Sequence, residues 1–300
     1  MFNPAPADLQ GLISHVDQAI YNHERWYDAL VNTLVCRLPY DEHDVNPEAH
    51  RRCRFGQWLY SEGQRLLCEH ASFPAIESQH RRMHQMAANI LKSAAAGTPV
   101  ALGDYEVFAS TLKHMRLEAA SLKRELEDLR SNLDPLTGAN NRLHLLTTLR
   151  EQQALVKRNV MACSLAMIDL DHFKAINDKY GHSAGDRALI ATARYATEHL
   201  RPYDKVFRFG GEEFVISLQS TTVEVALHVI DRLREGLART PIYHNDILIT
   251  ATASCGVAAL DPDLSVEDSI DRADQAMYAA KTAGRNCSRA WKPTERAAGV

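Results

Sequence analysis

Arg208-Phe209-Gly210-Gly211-Glu212-Glu213-Phe214 sets two glycines and two acids between runs that read as strands, Lys205–Phe209 and Phe214–Leu218. Consecutive glycines permit a tight hairpin in which the backbone approaches a ligand closely. Two carboxylates on such a tip can hold a hard cation such as Mg²⁺ and, through it, a triphosphate. A solvated acidic hairpin would use the same residues, and the tip alone does not choose between the two. A second constellation lies earlier. His80-Arg81-Arg82-Met83-His84 puts two imidazoles one turn apart on a helix face, a spacing that suits one tetrahedral metal. His23 falls on an apolar helical stripe, where a lone histidine is more often a satisfied core residue.

The elements that must carry these groups differ between the two halves. Leu9, Ile13, Val16, Ile20, His23, Tyr27, Leu30 and Leu34 recur at steps of three and four, one face of a long helix. A loop follows from Leu38-Pro39 through Asn46-Pro47, then a shorter helical segment around Gln57–Cys68. Ile76, His80, Met83, Ala87 and Ile90 mark the next helix. From Phe108 the spacing becomes heptad-like, through Leu112, Met115, Ala119, Leu122, Leu126, Leu129 and Leu133. Such a stripe suits either the last helix of a bundle or a dimerising connector; its length favours the connector.

Beyond a boundary near Ser131 the texture changes. Ser164–Leu170 is a short apolar run ending in acids, Gly181–Leu200 reads as a helix, and the acidic hairpin follows. A helix over Val223–Arg239, strands at Ile247–Thr252 and Ser254–Ala259, and a helix over Val266–Ala283 capped by Gly284 complete the pattern. Alternating strands and helices predict an α/β sandwich. The expected division is therefore residues 1–130, all helical, and 131–300, α/β.

Composition narrows the function classes. With 300 residues the chain can bury two cores. A net charge of -4 and a pI near 6.4 argue against a general nucleic-acid or membrane-surface binder. No apolar run approaches the roughly 20 residues of a membrane span, and Met1–Pro6 lacks the features of a signal peptide. The six cysteines show no paired spacing, so the expected setting is a reduced cytoplasm. A cysteine of special purpose would there be a metal ligand rather than half a bridge.

Asp134-Pro135-Leu136-Thr137-Gly138 with Asn141-Arg142 opens the second half. Ile168-Asp169-Leu170-Asp171-His172-Phe173-Lys174-Ala175-Ile176-Asn177-Asp178, Tyr180-Gly181-His182-Ser183-Ala184-Gly185-Asp186 and the Gly-Gly-Glu-Glu-Phe hairpin follow in order. Together they resemble the GGDEF family of diguanylate cyclases over roughly residues 131–290. Ala139, where the family usually has leucine, is a departure that touches no chemistry. The resemblance implies a polymerase-palm-like (nucleotidyl-cyclase-like) sheet with helices. It also implies a reaction in which two GTP condense to cyclic di-GMP and two pyrophosphates. Asp169, the Leu170 carbonyl and Glu212 would hold Mg²⁺. Glu212 would be the acid–base group and Glu213 a second metal contact or the alternative base, while Asp171 would be structural. Lys174 would neutralise phosphate charge, and Phe173 with the adjacent amides would cradle the triphosphate. Lys281 and Arg285 match positions that hold the β- and γ-phosphates, although helix C-terminal cations are also ordinary. Asn177 and Asp186 match positions that read guanine. A carboxylate at Asp186 can accept from guanine N1–H and N2–H₂, a pattern adenine lacks. His182 would line the nucleotide pocket or serve structure alone. Arg201-Pro202-Tyr203-Asp204 stands where the family has an inhibitory product site, with Arg232 as its secondary arginine.

Cys53-Arg54-Phe55-Gly56-Gln57-Trp58 resembles the signature of the chemoreceptor zinc-binding domain, a four-helix bundle, over about residues 10–125. With it, His23, Cys53, His80 and His84 become a closed Zn²⁺ site with no open position. His15, His43, His50 and His70 have no matching register and are expected at the surface. One cyclase domain holds one GTP, so a homodimer is expected, with cyclic di-GMP as product and inhibitor and no nucleic-acid or membrane partner. Zinc is expected to hold the half-sites in an unproductive arrangement. Two rivals are a non-catalytic nucleotide receptor, against which every expected site residue is present, and a purely structural zinc.

Overall fold

Leu9, Leu12, Ile13, Val16, Ala19, His23 and Leu30 are buried on one side of α1 (Pro6–Cys36), the outcome that their spacing of three and four dictates. In this computed structural model, which describes residues 6–245 and 247–293, the chain forms two compact units, Met1–Ser131 and Asn132–Val300. No helix among the described residues is long and apolar enough to cross a membrane.

The first unit is helical. After α1 come three short pieces, α2 (Ala49–Arg52), α3 (Arg54–Trp58) and α4 (Gln64–Leu67), with a π-turn at Leu59–Gly63 between the last two. Two long helices follow, α5 (Phe73–Ala95) and α6 (Leu102–Ser131). The break between α2 and α3 falls at Cys53, whose extended backbone (φ −62°, ψ 154°) ends one helix and caps the next. Gly56 is required there, because a Cβ would sit 1.8 Å from the His50 carbonyl oxygen. The heptad stripe on α6 does not stand free. Leu112, Met115, Ala119, Leu122 and Leu126 are buried within the unit, where α6 packs on α1 and α5. Leu129 is exposed, and Leu133 lies beyond the helix. Those buried positions are therefore spent inside one chain rather than on a dimer seam.

His50 and His70 differ from the surface placement that their register suggests. His50 is buried edge-on to Tyr60, and His70 is buried between Glu125, which its Nε2 meets at 3.1 Å, and the Ser72 amide. His15 and His43 are exposed. Each is covered by a side chain that the fold brings to it, Tyr60 for His50 and Glu125 for His70.

The second unit begins with α7 (Arg142–Lys157) and β1 (Cys163–Leu170), then α8 (Phe173–Tyr180) and α9 (His182–His199). β2 (Lys205–Arg208), β3 (Glu213–Gln219), α10 (Val223–Arg239), the ribbon β4 (Ile242–His244) and β5 (Ile247–Ile249), β6 (Ala253–Ala259), α11 (Val266–Thr282) and β7 (Ser288–Ala290) complete it. The sheet order is β2-β3-β1-β6-β7, antiparallel except for the β6–β7 pair. The run Ile247–Thr252 thus contributes to a separate two-stranded ribbon and not to the main sheet.

Both faces of β1 are covered. Ala166, Ile168 and Leu170 join the core beneath α8, α9 and α10, while Leu165 and Met167 join the core under α7 and α11. By this alternation Asp169 belongs to the α11 side. Gly256 lets α11 lie directly on β6: a Cβ would fall 2.1 Å from the Ala273 oxygen and 2.1 Å from the Met277 nitrogen. Backbone cannot yield as a flexible side chain can. Gly256→Ala is therefore expected to cost about 1–3 kcal/mol, read as a lower urea midpoint with an unchanged m-value for the full-length chain; an unchanged midpoint would refute this packing.

Candidate active site and metal centre

Asp169 ends the central strand with only 5% of its surface exposed. Its register partner across β3 is Glu213, and the Leu170 amide reaches the Glu212 carbonyl at 3.3 Å. The hairpin acids and the β1 acid are thereby brought to one end of the sheet. Burial, and next the Asp169 charge, push both the Glu212 and Glu213 carboxyls above the usual range. Lys281 answers this crowding from α11, with its Nζ 2.8 Å from Asp169 Oδ2.

The two hairpin glycines do not serve through left-handed backbone. Positive φ among the described glycines is confined to Gly97, Gly138, Gly181 and Gly284. Gly210 instead leaves room for a carboxylate, because a Cβ there would lie 2.6 Å from Glu213 Oε2. The tip is braced by Arg208, whose guanidinium donates to both oxygens of Asp134 (3.1 and 3.2 Å) and to the Gly211 carbonyl (2.9 Å). Asp134 also accepts from the Thr137 amide and hydroxyl. Burial works against this carboxylate, but those hydrogen bonds and the Arg208 charge outweigh it and hold its pKa below the ordinary value. Arg142 stacks over the Phe209 ring at 4.4 Å. Asp134, Arg142 and Arg208 carry no separate role in the sequence reading, although their motifs are the signal that marks them.

Asp171 lies just past the end of β1, not on its face. Its carboxylate accepts from Thr252 Oγ1 (2.8 Å), Ser254 Oγ (2.6 Å) and the Asn286 amide (3.0 Å). It is thus tied into the fold. His172 follows in left-handed backbone (φ 56°) and turns the chain into α8, which starts at Phe173 and carries an exposed Lys174 in its first turn. The N-terminal amides of such a helix suit phosphate oxygens. Gly185 on α9 admits Asn177, since a Cβ would lie 2.0 Å from the Asn177 Oδ1, and so sets Asn177 beside the turn carrying Asp186. Asp186 and His182 are exposed on the same end of α9.

Arg285 does not share a helix face with Lys281. α11 ends at Thr282, and Arg285 sits beyond Gly284 in left-handed backbone (φ 64°), its amide bonded to the Ala280 carbonyl. Gly284, at φ 110°, makes this reversal possible. Arg201 and Arg232 are both exposed, and Arg232 reaches the carbonyl of His199, two residues before Arg201. Asp204 is occupied by the Arg201 and Gln219 amides.

In the helical unit the ligating atoms of His23, Cys53, His80 and His84 all lie within 4.8 Å of one another. A tetrahedral zinc site has ligand-to-ligand edges of about 3.4 Å, so a small contraction would close this set around the ion. The donors fit such an ion. Cys53 Sγ is 3.3 Å from His80 Nε2 and receives the Gly56 amide. His23 Nδ1 bonds the Ala19 carbonyl at 2.8 Å, which leaves Nε2 for a metal. Both ring nitrogens of His84 are buried without a hydrogen-bond partner among the described residues. Burial lowers His23, carries His80 well below its usual value and takes His84 to about 3, so all three imidazoles stay in the ligating neutral form. Burial also pushes the Cys53 thiol up, a cost that a bound cation offsets.

Comparison with known proteins agrees with both halves. Residues 131–287 match the diguanylate cyclase GGDEF domain, and residues 23–91 the chemoreceptor zinc-binding domain. Diguanylate cyclase DgcZ of Escherichia coli K12 is 28% identical over 279 residues, 93% of each chain. Diguanylate cyclase DgcP of Pseudomonas aeruginosa is 38% identical over 186 residues, which are 61% of this chain but 28% of DgcP. Among solved structures, diguanylate cyclase SiaD of P. aeruginosa, in complex with its activator SiaC, aligns with a TM-score of 0.55 and 29% identity. That alignment covers 90% of this chain and 99% of SiaD. The coiled coil and GGDEF domain of DgcB from Caulobacter crescentus, with bound c-di-GMP, align at TM-score 0.55 and 27% identity over 61% and 98% of the two chains. The chain belongs to the GGDEF-domain diguanylate cyclase family and carries a chemoreceptor zinc-binding domain in its helical half.

Proposed function

We propose that this protein is a cytoplasmic, homodimeric diguanylate cyclase that condenses two GTP into cyclic di-GMP, restrained by zinc and by its own product. The observation that carries the reading is the convergence of Asp169, Glu212, Glu213 and Lys281 at one end of the sheet. Each 3′-hydroxyl oxygen attacks the α-phosphorus of the facing GTP, the bond to pyrophosphate breaks, and the hydroxyl proton passes to a base. Two such transfers close the ring and release two pyrophosphates.

Asp169, the Leu170 carbonyl and Glu212 would hold Mg²⁺, which would polarise the α-phosphate and favour ionisation of the hydroxyl. Glu212 takes the proton, with Glu213 as a second metal contact or alternative base. Lys281 exchanges Asp169 for the phosphates once nucleotide and metal arrive, and Arg285 meets the phosphates from beyond the helix. Lys174 and the amides around Phe173 hold the triphosphate. Asn177 and Asp186 read the guanine edge, with His182 at the pocket wall. Arg201, Asp204 and Arg232 form the product site. His23, Cys53, His80 and His84 bind the Zn²⁺ that restrains the approach of two half-sites, since proximity is the controllable variable.

Incubation with GTP and Mg²⁺, with and without a tight zinc chelator, tests the core of this reading by chromatography of products. Cyclic di-GMP should form and should rise on chelation. Equal product in both arms would remove zinc control, and no product in either would overturn the cyclase reading. Glu212→Gln should lower turnover by about 100-fold or more and, because Glu212 would also hold the metal, weaken GTP binding in Mg²⁺. Arg208→Ala, which frees the hairpin tip but leaves the acids, should lower it by about 10–100-fold; wild-type turnover in Arg208→Ala would show that the brace is dispensable. Arg201→Ala should leave the initial rate alone and abolish the slowing seen as product accumulates. Unchanged inhibition curves would remove Arg201 from the product site.

A further inference from the structure

A cleft of about 220 Å³ opens on the metal centre, lined by His23, Cys53 and His84 and by Trp26, Asp44 and Arg52. Asp44 comes from the loop between α1 and α2 and is half-buried. It is the one acidic residue among those lining the cleft; Arg52 and Arg54, which also line it, are exposed to solvent. The Trp26 indole N–H donates to Asp44 Oδ1 at 2.8 Å, and the same indole packs on His84 with ring centroids 4.8 Å apart. A side chain in contact with a ligand thus fixes the carboxylate at the mouth of the centre.

Charge gives this placement a purpose. Three neutral imidazoles and one thiolate around Zn²⁺ leave +2 − 1 = +1 on a buried cluster. An unpaired buried charge is costly, and a nearby counter-ion lowers that cost.

We infer that this cleft is the route by which zinc reaches the centre, and that Asp44 draws the cation in and balances its residual charge once bound. The inference rests on zinc occupying the His23, Cys53, His80 and His84 centre. Two substitutions separate a charge role from a merely structural one. Asp44→Asn keeps a hydrogen-bond acceptor for Trp26 and loses the charge; Trp26→Phe keeps the charge and loses the hydrogen bond. Asp41→Asn, on the same loop but exposed, controls for net charge.

The measurement is uptake of Zn²⁺ by the metal-free full-length chain. Stopped-flow competition with a fluorescent zinc indicator gives the on-rate, and equilibrium titration gives affinity. Asp44→Asn should lose about 10-fold in affinity and bind severalfold more slowly, with Asp41→Asn like wild type and Trp26→Phe affected less than Asp44→Asn. Wild-type affinity and on-rate in Asp44→Asn would overturn the role of Asp44, as would a larger loss in Trp26→Phe. A wild-type chain that takes up no zinc would instead overturn the zinc reading beneath it.

Discussion

A carboxylate at the end of a strand buried on both faces cannot be left alone, because desolvation without compensation would drive it to neutrality. Asp169 stands there, and the 2.8 Å contact with Lys281 is its compensation. Most of the cyclase unit can be derived from that need. Lys281 reaches Asp169 because α11 lies almost in backbone contact with β6 at Gly256. Glu213 shares the same face through register, which gathers like charges that a dication would neutralise. The tip that carries Glu212 is then held by Arg208 rather than by hairpin geometry alone.

The helical unit solves the opposite problem. Burial keeps the His23, His80 and His84 imidazoles neutral, and among the described residues neither ring nitrogen of His84 has a hydrogen-bond partner. Polar atoms so placed are normally satisfied. A neutral imidazole carries one lone-pair nitrogen, and a metal ion, which accepts a lone pair and donates no proton, suits that nitrogen of His84. The extended residue at Cys53 makes this arrangement possible, since it both breaks a helix and aims a thiol inward.

Much of this was legible in the residues. The stripe on α1, the helix at Val223–Arg239 and the strand pair around the acidic tip follow from periodicity, and the His80/His84 spacing from helix geometry. What periodicity does not report is which partner a stripe meets: α6 shows a heptad, yet its apolar side is consumed inside its own unit. Nor does it report local chain reversal. Arg285 lies four residues from Lys281 but on the far side of a left-handed glycine. The three-residue strands β4 and β7 are too short to leave a pattern. His50 and His70 are buried because of neighbours distant in sequence, which spacing cannot disclose.

The opening residues of the cyclase unit are stitched to the site in series. Asn132 accepts from the Asn141 amide, Leu133 bridges to Asn140, and Asn140 bonds the Val206 carbonyl and Arg208 amide of β2. Asp134 then grips Arg208, which grips the Gly211 carbonyl. These hydrogen bonds run without a break from Asn132 to the acidic tip, so the opening residues of the cyclase unit and its carboxylates are positioned by one connected set of contacts.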